Sequence, residues 1–438
     1  MNSNRVRFVL AAVIGASAVL TSAAMASDLE KRIEAHVAFL TSAELAGRAP
    51  GGIGESALLS YIEDALATAG LKSGAGGEWR TTFRSDEVAA KAREIGAYVP
   101  DSKDGHSISN IVGIVRGVAM DDGASQDPAE TDGGAREVVV VGAHFDHLGQ
   151  ADDGVIFHGA DDNASGVAAL IELARLVADE GPLARDVLFV AFGGEEFGQL
   201  GSRDFVANYP VENVVIMMSL DAIGRMQDRR LYVFGGGSGL EFGEILAGVN
   251  IGFGFDLAVN DAGPFASDQV PFYDRGVPAM HLSTGANADY HRSTDTAEKL
   301  NVVDLAETVE FLTELVVFLA ERDQRPTFVP PGAASAKPSQ AAAGEAPRRV
   351  SLGTIPDFAR ESGGVLLSGV MPGSPAAQAG LEKGDILTSI GGIDVDNLGD
   401  FSGVLKSHQP GDEVEVVVTR GSEEIRKMVT LVERASRR

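Results

Sequence analysis

The chain is expected to fold as an α/β protein, a mixed central sheet with helices on both faces, followed by a small β-rich unit. Continuous apolar runs carry the first part of this expectation. EVVVVGA (137–143), DVLFVAF (186–192) and NVVIMMSL (213–220) have the composition of strands buried on both faces. Helix-like segments alternate with these runs, which is the pattern of a layered α/β architecture. Beyond a Pro- and Ala-rich stretch, short strand-like runs with tight turns replace the alternation.

At 438 residues the chain is long enough for two globular units. Arg5 and Arg7 precede an apolar run from Phe8 to Leu20, and Ala24-Met25-Ala26 stands before Ser27. The run is short for a bilayer span and the small residues suit a signal peptidase, so residues 1–26 are expected to be a signal peptide and the protein to be exported, periplasmic or secreted. An uncleaved anchor is the alternative; after cleavage no stable membrane anchor is expected.

Residues 27–40 and the segment GESALLSYIEDALATAGL (54–71) have apolar residues at helical intervals. NIVGIV (110–115), the three runs quoted above, RLYVFG (230–235) and VPAMHLS (277–283) are strand candidates. ASGVAALIELARLVADE (164–180) and VVDLAETVEFLTELVVFLAERD (302–323) are helix candidates, the second closing a unit over 27–322. The acidic, Gly-rich segment at 120–135 is expected to be a loop, and residues 323–347 a linker. Residues 348–438 form the second unit.

A formal net charge of −27 argues against nucleic acid or an anionic membrane surface as a partner, because phosphate contacts need clustered Lys and Arg. The absence of cysteine removes disulfides, thiolate metal sites and thiol nucleophiles. No G-x-S-x-G elbow occurs. Any metal must be held by imidazole and carboxylate.

Open α/β sheets bind ligands beyond the carboxyl ends of their strands. There the strand candidates deliver His144, Asp146 and His147, then Glu195 and Glu196, then Asp221. The loop GADDNASG supplies Asp161 and Asp162, and TGANADYHRSTDT supplies His291. Singly, each reads as a hydrogen-bonded strand end, a solvated corner or a helix cap. Together they crowd like charges at one sheet edge, an arrangement that needs a cation. Histidines with carboxylates and no thiolate suit a pair of divalent ions, Zn²⁺ foremost, with Co²⁺ or Mn²⁺ as alternatives.

HFDHLG, GADDNASG, EEFGQLGS, SLDAIGR and DYHRSTDT resemble, in order, the signatures of the M28-type co-catalytic zinc peptidases related to bacterial aminopeptidases. LTSAELAGRAPGGIGE resembles their amino-terminal segment, and the resemblance covers about residues 28–321. It implies Asp161 as the carboxylate bridging two metals, His144 and Asp221 on one ion, Glu196 and His291 on the other. It implies Asp146 as the group orienting the imidazole of His144, Glu195 as general base, and an unusual cis peptide bond between the bridging carboxylate and the residue after it. Ala222 and Gln269 depart from the family pattern, at positions expected to line or flank the substrate cleft.

GVMPGSPAAQAGLEKGDILTSIGG resembles a bacterial PDZ domain, and the likeness extends over about 348–436. It implies that N–H groups of Leu352, Gly353 and Thr354 receive the C-terminal carboxylate of a peptide. An alternative role for this unit is docking on the peptidase or shielding its cleft. The expected activity is that of an exported exopeptidase on peptides or proteins, an aminopeptidase first. A carboxypeptidase or glutaminyl cyclase of the same superfamily is the alternative, and an envelope interaction protein without catalysis is the reading from a different class.

Overall fold

The computed structural model describes residues 27–118, 136–260, 267–330, 350–356 and 363–433. The expected signal peptide and the acidic segment 120–135 lie outside the described residues, as does most of the expected linker. Among the described residues no helix is long and apolar enough to cross a membrane.

Nine strands form the sheet of the first unit: β1 (Lys72–Ser73), β2 (Arg80–Ser85), β3 (His106–Val115), β4 (Val138–His144), β5 (Asp186–Phe192), β6 (Val214–Leu220), β7 (Arg230–Phe234), β8 (Asp256–Asn260) and β9 (Ala279–Ser283). Their order is β1-β3-β5-β4-β6-β9-β7-β8, with β2 also on β3. The four central strands β5, β4, β6 and β9 run parallel. Antiparallel pairings of β3 with β5 and of β7 with β9 make the sheet mixed.

The helices are α1 (27–40), α2 (Glu55–Thr68), α3 (Val88–Ile95), α4 (Gly166–Asp179), α5 (Leu200–Asn208), α6 (Phe242–Asn250), α7 (Val270–Tyr273) and α8 (Val302–Glu321). Successive strand residues point to opposite faces, and the valines of β4 show both. Val139 and Val141 pack in the layer that includes Leu170 of α4 and Leu312 of α8, whereas Val138 and Val140 pack with Phe205 of α5 and Phe272 of α7. A strand clad on both sides has no solvent face, hence its uninterrupted apolar run. Each such side chain contributes about 1.5–3 kcal/mol on burial.

The two connections from β4 place the site. The chain passes through α4 to β5 on one side of β4, then through α5 to β6 on the other. This reversal opens a crevice at the carboxyl ends of the parallel strands.

The expected linker begins too early. Val329 donates to the carbonyl of Ser238 at 2.9 Å, Thr327 bonds Glu241, and the Phe328 ring meets Tyr273 edge to face. Residues 324–330 therefore still belong to the first unit: one apolar side chain anchors a Pro-containing stretch whose composition alone resembles a tether.

The second unit holds β10 (Val350–Ser351), β11 (Thr354–Pro356), β12 (Val365–Val370), α9 (Pro375–Gln378), β13 (Ile386–Ile390), β14 (Ile393–Asp394), α10 (Leu398–Lys406), β15 (Glu413–Arg420), β16 (Glu423–Thr430) and β17 (Val432–Glu433). Antiparallel strands in the order β11-β12-β13-β15-β16 enclose a separate core that includes Leu367, Leu387, Phe401 and Val416.

Candidate metal centre

His144 is the last residue of β4, and Asp221 follows β6 directly. Glu195 and Glu196 lie in the turn after β5, His291 in the loop after β9, and Asp162 in the turn that opens α4. Five segments thus meet at one edge. Nε2 of His144 lies 3.4 Å from Oδ1 of Asp162 and 3.4 Å from Oδ1 of Asp221. Nε2 of His291 lies 3.1 Å from the other oxygen of Asp162 and 2.9 Å from Oε2 of Glu196.

The carboxylate shared by the two imidazoles is that of Asp162, which corrects the expectation for Asp161. Asp161 turns away: it accepts the amide of Gly224 at 2.8 Å and Nδ2 of Asn287 at 2.9 Å. Burial, with the charge of Asp295 beside it, pushes its pKa up to about 8. Asp295 fixes the turn by accepting the amides of both aspartates, at 2.9 Å from Asp161 and 3.1 Å from Asp162, and Arg225 holds Asp295 at 3.0 Å. The cis peptide bond is Asp162–Asn163, one residue beyond the place expected.

Asp146 also acts differently from expectation. The Nδ1 of His144 faces the main-chain carbonyl of Asp146 at 3.2 Å, while the nearer carboxylate oxygen stands 3.9 Å away. That carboxylate instead accepts the amides of Glu195 at 3.0 Å and Glu196 at 3.3 Å. It sets the glutamate turn.

His147, expected at the sheet edge but assigned to neither ion, is fully buried and its Nδ1 lies 2.8 Å from Oε1 of Glu196. Its position three residues after His144 was the available signal. Arg48 was missed. Its guanidinium is buried and donates to the carbonyls of Leu40, Phe145, His158 and Gly159 at 2.6–2.8 Å. Burial lowers its pKa to about 10 despite carboxylates around it. It ties the HFDHLG segment to the turn bearing Asp162, where Gly159 has φ +54° and a Cβ would press on the carbonyl of Asp162.

Gln269 is fully buried at the head of α7 and so lines no open cleft, while its neighbour Asp268 is a buried carboxylate whose pKa burial raises to about 7. Ala222 is half-buried with φ +54°, and its carbonyl accepts from Thr284.

The residues suit divalent cations. Donor atoms of His144, Asp162 and Asp221 lie within 4.8 Å of one another, as do those of His147, Asp162 and Glu196. Oδ2 of Asp162 is buried with no hydrogen bond of acceptable angle, and Nε2 of His147 is buried and unpartnered among the described residues. Burial disfavours a charged His144, but Asp221 and Asp162 outweigh it and hold the imidazole well above its ordinary range. Burial together with the charges of Asp221, Asp268 and Glu196 pushes Glu195 well up. Glu196 is driven down to about 2, against its burial, chiefly by His291. One glutamate is held ionised beside imidazoles while its neighbour readily carries a proton.

In the second unit, Leu352 is buried in the core and its carbonyl accepts from Ala376 at 2.9 Å. The amide of Gly353 donates to Ser351 Oγ at 3.0 Å. Thr354 begins β11, opposite Val370.

Fold and site together are those of an α/β metallopeptidase unit joined to a β-rich module. Residues 128–316 match the profile of peptidase family M28 and residues 367–420 that of the PDZ domain, so the chain carries an M28 peptidase domain followed by a PDZ domain. Among curated relatives, aminopeptidase YwaD of Bacillus subtilis is 27% identical over 207 residues, 44% of this chain and 43% of that protein. Leupeptin-inactivating enzyme 1 of Streptomyces exfoliatus is 29% identical over 171 residues, 38% of this chain and 36% of that protein. The chain thus spans less than half the length of either. Among solved structures, BSAP, a zinc aminopeptidase from Bacillus subtilis, superposes with a TM-score of 0.52 at 17% identity, covering 68% of this chain and 98% of that one. A Porphyromonas gingivalis glutaminyl cyclase gives 0.50 at 17% identity, covering 66% and 97%. These likenesses show the fold.

Proposed function

We propose that the chain is an exported exopeptidase that removes amino-terminal residues from peptides, using two zinc ions with Asp162 as the shared ligand. His144 and Asp221 would hold one ion; Glu196 and His291 would hold the other, with His147 against Glu196. When bound, the ions would polarise the scissile carbonyl and acidify the attacking water.

The observation that carries this reading is the division between two adjacent glutamates. Glu196 is bonded to two imidazoles, whereas Glu195 stands outside both ligand groups with its pKa raised. Glu195 takes a proton from the attacking water and passes it to the departing amine as the C–N bond breaks, so it ends the cycle as it began. The amides of the glutamate turn, pinned on Asp146, keep it in place.

Export is supported by the apolar run Phe8–Leu20 followed by Ala24-Met25-Ala26. The PDZ domain, in the same reading, holds peptide tails by adding a strand beside β11. The test is zinc-loaded protein, its metal content measured, given an aminoacyl anilide and matched peptides with free or acetylated amino termini. Cleavage of the anilide and of free peptides, abolished by acetylation, is expected. Equal cleavage of acetylated peptides overturns the aminopeptidase reading.

A further inference from the structure

A cavity of about 540 Å³ opens between the loop bearing His291 and the PDZ domain, lined on one side by Tyr290 and Arg292 and on the other by Met371, Pro372, Met428 and Val432. The volume lies within the range of sites for small organic ligands. Tyr290, Met428 and Val432 are 52%, 62% and 44% exposed, a concentration of uncovered apolar surface around one hollow.

The hollow adjoins the metal centre. The Tyr290 ring stacks on the His291 imidazole, centroids 3.9 Å apart and planes 21° apart, so one aromatic ring separates the cavity from a proposed ligand. An extended peptide advances about 3.3–3.6 Å per residue. Two or three residues beyond the scissile bond would therefore bring the end of a short peptide into this space.

Arg292 gives that end something to meet. Its Nη2 points at the thioether sulfur of Met371, 3.7 Å away, a weak acceptor, and among the described residues its guanidinium has no carboxylate partner. Glu433, the carboxylate among the lining residues, is not paired with it. In a chain of net charge −27, most other approaches would repel a carboxylate.

We propose that this cavity is the leaving-side subsite for short peptides, in which Arg292 pairs with the free carboxylate of a tri- or tetrapeptide and the PDZ domain supplies the far wall. The proposal rests on the aminopeptidase reading for the direction in which the substrate lies. It concerns the face of the PDZ domain formed by Met371, Met428 and Val432, which Ser351 and Gly353 extend to the start of β11.

The test is calorimetric titration of trialanine and trialanine amide into zinc-loaded full-length Glu195→Gln protein, which keeps the site while slowing cleavage. Trialanine is expected to bind about 10- to 100-fold more tightly than its amide, the range for hydrogen bonds to a charged group. Arg292→Gln should bring the ratio to about one. So should Met371→Glu, which places a competing carboxylate against the guanidinium from the other domain, away from the metal ligands. Equal affinity for acid and amide in the parent protein overturns the proposal, and so does a preference that survives either variant. Cleavage of N-acetylated peptides by the native enzyme would instead overturn the aminopeptidase reading while leaving the acid-to-amide ratio interpretable.

Discussion

The carboxylate of Asp146 accepts the amide hydrogen of Glu195 at 3.0 Å, and its second oxygen takes the next amide at 3.3 Å. A residue two places beyond a proposed metal ligand thus positions both the proposed base and a proposed ligand of the second ion. Asp146→Ala should lower kcat about 10- to 100-fold, the usual cost of losing such a support, together with zinc content. Steady-state kinetics and elemental analysis of the same preparation check both effects.

Glu195→Gln removes the proton acceptor but leaves the ligand groups untouched. Zinc stoichiometry should stay native while kcat falls about 10²- to 10⁴-fold. An undiminished kcat would remove Glu195 from the role of base.

The two adjacent aspartates separate cleanly by substitution. Asp162→Asn should lose zinc from both positions, because both imidazoles face its carboxylate. Asp161→Asn keeps an oxygen for the Gly224 amide and should retain the metals, at a cost in melting temperature from the altered contact with Asn287. Elemental analysis of the two variants side by side decides which aspartate is shared.

Glu172 of α4 is buried among Arg32 at 2.8 Å, Arg175 at 2.9 Å and His36 at 3.2 Å, which fastens α1 to the core. Burial opposes its ionisation, but the bonds from His36, Arg32 and Arg175 pull its pKa from 4.5 down to about 2. Stability from this depression is therefore complete above about pH 4.5 and disappears as pH falls toward 2. Glu172→Gln should destabilise the protein by about 1–3 kcal/mol at neutral pH. Denaturant melts of both proteins should converge on acidification across that window.

Much of this architecture was legible in the sequence. The runs that became β4, β5, β6, β7 and β9 announced themselves because strands clad on both faces need unbroken apolar stretches. By contrast, β2 (RTTFRS) is a half-exposed strand beside β3, and β1 and β8 are short and sparsely buried, so none stood out. Among the described residues, the site's segments were recognisable from residue type and position after each strand. The choice between Asp161 and Asp162 was not, since neighbours of one chemical type differ only in how the turn rotates them. Arg48 escaped notice for a related reason: its carbonyl partners carry no signature in sequence.

The register of β4 against β5 pairs Val138 with Asp186 at one end and His144 with Phe192 at the other. Arg116, Gly117 and Arg136 all converge on Asp186, so the chain leaves the described fold after residue 118 and rejoins it at residue 136 about 20 Å from the proposed metal ligands. Substitutions at Arg116 and Arg136 would therefore act at the end of β4 opposite the proposed metal ligands, which makes these two anchors suited to probing the framework apart from the chemistry.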